Sequence, residues 1–189
     1  MRIRTLLAVV AAAAAAFLAP LRAPLAAQAS QGTLIPIPYR TYIGINPVGI
    51  AFDIASVELE SAIAPGITLG GLASYTDVSD NRFTTFDVKL RYYPGEVVLR
   101  GFSLGGTVGY TRFSNVVGSS ISGAPARQSL DAPTVGIIAD YNWMLGVRRR
   151  FLVGTGLGAK RVLASSEDRA RVDIDRAYVT GRFIVGIAF

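Results

Sequence analysis

The chain has 189 residues, of which 51% are hydrophobic and 17% charged, with 19 basic and 13 acidic side chains and neither a cysteine nor a histidine. The two absences exclude a disulfide framework, a thiol nucleophile, an imidazole base and a zinc site of the usual kind. One domain fits the length, and the low charge points toward a membrane or exported protein.

The N-terminus reads as a processing signal. Arg2 and Arg4 precede an uncharged run of Ala, Leu and Val that reaches Ala19, and Ala27-Gln28-Ala29 supplies the small-x-small pattern of a cleavage site. Residues 1–29 are therefore read as a secretory signal peptide. A membrane-spanning helix needs about 20 continuous apolar residues, and this run is shorter and is broken by Pro20, Arg22 and Pro24. Cleavage leaves 160 residues carrying a net charge of +3, too mild and too scattered for nucleic-acid binding. Residues 30–41 form a lead on the periplasmic side, and 42–189 form the folded domain.

From there the dominant signal is period two. In Phe86-Asp-Val-Lys-Leu-Arg-Tyr92 the apolar side chains occupy one set of alternate positions and Asp87, Lys89 and Arg91 the other. A strand sends those sets to opposite faces, whereas a helix would scatter the charges around its axis. In chain order, Val48, Ile50 and Phe52 form a first apolar row and Val57, Leu59 and Ile63 a second of opposite parity. The change of parity predicts a turn over 53–56. Further strands are predicted over 66–76, 83–93, 101–113, 133–145, 150–162 and about 175–189, eight in all.

The links alternate. On one side they are modest (64–65, 94–100, 146–149), and on the other they are polar or rich in Gly and Ser and mostly longer (77–82, 114–132, 163–174). Short turns on one side and long loops on the other describe an all-β, eight-stranded antiparallel up-and-down transmembrane β-barrel. The first outward link, 53–56, breaks this rule by being short. Strands of nine to eleven residues suit a tilted membrane crossing.

An eight-stranded barrel can also be a soluble, lipocalin-like periplasmic ligand carrier with an apolar lumen. Here the face opposite the apolar rows holds Ser103, Gly105, Thr107, Gly109 and Thr111, then Gly154, Gly156, Gly158 and Lys160. That face is too small and too lightly charged for a water-facing exterior, and it suits a narrow lumen. Aromatics gather near predicted strand ends, with Tyr92, Tyr93, Phe102, Trp143 and Phe151 on the turn side and Tyr75 and Tyr110 on the loop side, as interfacial girdles require.

The last strand alternates Phe183, Val185, Ile187 and Phe189. With this ending the chain resembles the small outer-membrane β-barrels of Gram-negative bacteria, similar in size and layout to the outer-membrane protein A and X barrels. The resemblance implies that those four residues are an assembly signal read by the barrel-assembly machinery. It implies residence in the outer membrane among lipid and lipopolysaccharide, and it assigns no activity, because function sits in sites rather than in folds.

The inward phase carries Glu58, Glu60, Asp87, Lys89, Arg91, Asp140, Lys160 and Arg182, four acids and four bases. In a lumen that side chains can fill, such a balanced set forms an ion-pair network that plugs the barrel, with a narrow or gated pore for small solutes as the alternative. Barrel enzymes mostly rely on a histidine beside their nucleophile, so no catalytic residue, cofactor or metal is assigned. Arg112 and Arg161 fall on the outward phase at the loop end, where lipid A phosphates would sit, because a guanidinium pairs well with phosphate. The glycine pairs and the Gly154-Thr-Gly156 run have no helix after them and are not phosphate loops. The expected protein is a monomeric structural or surface-interacting barrel.

Overall fold

The computed structural model describes residues 39–78, 81–95, 97–117 and 126–189. The signal peptide and all but the end of the lead lie outside the described residues. Eight strands follow in order: β1 (Thr41–Ile45), β2 (Ile54–Ala64), β3 (Ile67–Val78), β4 (Asn81–Tyr92), β5 (Gly101–Val117), β6 (Ala126–Leu145), β7 (Phe151–Val162) and β8 (Ala177–Ala188). Each pairs antiparallel with its neighbours in sequence, and β1 pairs with β8 to close the barrel.

The stagger of that closure is legible in the register. From Tyr42 the ladders run through Glu60, Gly70, Lys89, Thr107, Gly136 and Lys160 to Tyr178. The direct pairing of β1 with β8, however, sets Tyr42 against Ala188, ten residues further along. A closed sheet with such a shear must tilt its strands against the axis, and an eight-stranded barrel is then just wide enough to be filled by side chains.

Alternation sorts the wall. Large apolar side chains face out, with Phe86 at 62%, Val108 at 61% and Ile137 at 72% exposure. The opposite phase faces a closed interior in which Glu58, Arg91 and Asn142 are each 1% exposed.

Four local expectations are corrected. The row Val48, Ile50 and Phe52 is not a strand: β1 ends at Ile45, and a short helix, α1 (Pro47–Ile50), follows. Asn46 caps it, its side chain accepting from the Gly49 amide at 2.9 Å, and Pro47 occupies the first turn, where a missing N–H costs nothing. Asp53 then turns the chain with φ of 57°, so the first outward link spans residues 46–53 and is no longer short. Second, the predicted loop over 114–132 is largely strand, since β5 and β6 continue as a paired ribbon to Val117 and Ala126. Third, β3 and β4 likewise extend through the predicted loop over 77–82, with Val78 opposite Asn81. Fourth, the link over 163–174 holds a second helix, α2 (Ser166–Arg171), capped by Ser165. Polar composition suggested loops at these places, while cross-strand pairs such as Arg112 with Asp131 and local capping fixed regular structure there.

Candidate functional site

Among the described residues, chemistry-bearing side chains converge in the interior. Inward-facing positions of β2, β4, β6, β7 and β8 hold the eight predicted charges, six of them in one cluster built on Arg91 and Arg182 and two in a separate pair. Arg91 donates from Nε to Asp140 at 2.7 Å and from Nη1 to Glu58 at 3.1 Å, and it also pairs with Glu60. Arg182 donates from Nη2 to Glu58 at 2.9 Å and from Nη1 to Asn142 at 2.9 Å. Lys89 reaches the second oxygen of Glu58 at 2.7 Å, and higher in the barrel Lys160 pairs with Asp87. Charges taken out of water are tolerated when paired and fully hydrogen-bonded, and Glu58 meets this condition with three bases around one carboxylate.

Hydroxyls and amides complete the set. Tyr42 donates to Glu58 and lies 3.1 Å from Glu60, Tyr93 donates to Glu60 at 2.8 Å, and Thr68 donates to it at 2.5 Å. The Asn142 amide donates to the Tyr93 oxygen at 3.1 Å. The sequence reading placed Tyr93 in the outer aromatic girdle, but it is 0% exposed and points inward. Its parity relative to Arg91 carried that information, since two residues along a strand return to the same face. Tyr42 was missed because the first strand was placed too late in the chain.

The wall is shaped to admit these side chains. Asp87, Arg91, Asp140, Asn142 and Lys160 sit directly across from Gly109, Gly105, Gly156, Gly154 and Gly136 on the next strand. A Cβ at Gly156 would overlap the Asp140 carboxylate, and one at Gly109 would overlap that of Asp87. These glycines provide the close approach that lets a charge lie flat against the neighbouring strand.

An apolar cluster lies toward each end. On the turn side Tyr42, Leu99, Leu152, Ile184 and Ala188 pack together, with Tyr39, Val98 and Met144 against them. Leu99 is brought under the barrel by a left-handed backbone, φ 65°. On the loop side Phe113, Ala132 and Val162 pack with Phe83, Leu130, Ile174 and Tyr178, and Phe83 and Phe113 meet edge to face at 5.6 Å. The buried Asp87 Oδ1, Thr107 Oγ1 and Thr134 Oγ1 have no hydrogen-bond partner among the described residues.

The outer charges are arranged differently. Arg112 forms a forked pair with Asp131, at 2.7 and 2.9 Å, with its side chain 62% exposed. That hydrogen-bonded guanidinium, above the apolar belt, holds the Asp131 carboxyl below its ordinary range. Arg161 is exposed on β7 opposite Val135, so β6 separates it from Arg112 and the two are not brought together. In β8, Ile187 and Phe189 are exposed while Phe183 and Val185 are half-buried. Glu58 and Glu60, the nearest thing to an acid–base pair, are both engaged by Arg91. Among the described residues no three His, Cys, Asp or Glu side chains are placed to hold a metal ion.

No family model and no curated protein matches the sequence. Among solved structures, the N-terminal β-barrel domain of Pseudomonas aeruginosa OprF is similar to this chain, with 13% sequence identity over 80% of this chain and 98% of that one, and a TM-score of 0.48.

Proposed function

We propose that the chain is an integral outer-membrane barrel with a closed lumen, serving as a structural or surface-interacting component of that membrane. The observation that carries this reading is the inverted distribution of polarity. Isoleucine, valine, leucine and phenylalanine face outward on every strand, while eight formal charges lie inside. Soluble monomers rarely expose a contiguous apolar surface beyond a few hundred Å², whereas a closed barrel in lipid satisfies its backbone internally and presents such a belt. The signal-like composition of residues 1–29 and the alternating row Phe183, Val185, Ile187 and Phe189 support the outer membrane as the destination and the barrel-assembly machinery as the partner in reaching it.

The ionic network and its two apolar caps favour a plug over a pore. The exposure of Arg161 at the loop end supports a contact with a lipid A phosphate, whereas Arg112 would first have to give up Asp131. A refolded sample tests the membrane reading. The barrel is expected to require detergent or lipid for solubility and to migrate faster on gels unheated than boiled. A monomer soluble without detergent would instead indicate the periplasmic carrier.

A further inference from the structure

The net charge of the barrel is concentrated at one end. Around the loop-side rim arginines are matched with acids: Arg82 with Asp77 at 2.6 Å, Arg112 with Asp131 at 2.7 Å and Arg171 with Asp168 at 3.7 Å. The lumen carries four acids and four bases. The turn side carries Arg40, Arg100, Arg148, Arg149 and Arg150, and the one acid that the sequence places there, Glu96, falls outside the described residues.

These five arginines come from three separate chain segments at the turn-side ends of the strands: the Arg40 amide donates to the Phe189 carbonyl, the Arg150 carbonyl accepts from the Ala188 amide, and Arg100 and Arg150 directly precede β5 and β7. Arg40, Arg148 and Arg150 are exposed. The Arg150 guanidinium lies 5.7 Å over the Tyr39 ring, and its Nε donates to the Ala188 carbonyl at 3.4 Å. Arg149 has φ of 49° and a buried Nη1 with no hydrogen-bond partner among the described residues. Three consecutive arginines, none of them in an ion pair with a described acid, offer planar forks that match phosphate oxygens.

We infer that this rim binds anionic phospholipid headgroups of the leaflet at the turn side. The inference rests on the membrane reading above, because it needs the belt to lie in lipid. Charge complementarity and the place of the arginines at the turn-side strand ends favour lipid over an acidic protein, which would have to reach them past the headgroups.

Trp143, the only tryptophan, lies near this rim on β6, two residues before Leu145, and reports on it directly. The refolded full chain is placed in phosphatidylcholine vesicles containing brominated phosphatidylcholine or brominated phosphatidylglycerol, and quenching of Trp143 is measured. The anionic lipid should bind roughly fivefold more strongly than the zwitterionic one. The preference should fall to about one in the triple variant Arg148→Gln, Arg149→Gln, Arg150→Gln, and should survive Arg82→Gln with Arg112→Gln. Should the triple variant not fold, Arg40→Gln with Arg100→Gln, on different segments, is expected to weaken the preference. Equal quenching by both lipids in the unmodified barrel would overturn the inference and leave the rim to an acidic macromolecule. Quenching by neither lipid would overturn the membrane reading together with it.

Discussion

The lumen and the outer rim contain ion pairs of nearly the same geometry in opposite surroundings. Arg91 meets Asp140 at 2.7 Å with both side chains 1% exposed, and Arg112 meets Asp131 at the same distance with 62% and 34% exposed. In water the attraction of such a pair is screened and offset by side-chain entropy. Inside the barrel the pair interacts more strongly, but each partner left alone carries the whole cost of its desolvation. The same contact is therefore close to optional at the rim and obligatory in the lumen.

The largest test of this contrast is Arg91→Ala. It leaves Glu60 and Asp140 without a base in the barrel interior, while Glu58 keeps Lys89 and Arg182, and is expected to destabilise the barrel by about 3–5 kcal/mol, read from urea unfolding of the refolded protein. A loss no greater than that of a rim variant would mean that water reaches the network. Next in size is Gly156→Val. The added side chain displaces the Asp140 carboxylate from its place against β7, and a loss of roughly 1–3 kcal/mol is expected from overpacking. Full stability in this variant would show that the fit between charge and glycine is not required. The smallest effect belongs to Arg112→Ala, which should leave the unfolding midpoint nearly unchanged. What the rim pair does contribute is present above the ordinary carboxyl range and is lost as the pH falls through the lowered pKa of Asp131. Comparing Arg112→Ala with the unmodified barrel at pH 7 and at pH 3 checks that sign, since the two proteins should converge at the lower pH.

The sequence reading located most of the network because a period of two is a strong constraint. Once Phe86, Val88 and Leu90 face outward, Asp87, Lys89 and Arg91 have only the lumen to enter. The same rule would have placed Tyr93 inside, and it was overridden by the expectation of an aromatic girdle. Where period two gives way to local chemistry, legibility fell. Val48, Ile50 and Phe52 alternate as a strand would, yet the Asn46 cap and Pro47 make the segment helical. Loop composition also misled at 114–132, where Gly, Ser and Pro hid a ribbon held by cross-strand pairing. The apolar floor was invisible beforehand, because it depends on a single left-handed residue, Leu99, in a link between strands.

Single-channel recording in planar bilayers tests the closed lumen most directly. With an ionic network capped by Leu99 and Leu152 below and by Phe113 and Val162 above, the unmodified barrel should insert without discrete conductance steps. Stable, ion-selective openings of the unmodified protein would contradict the plugged lumen and favour a gated pore.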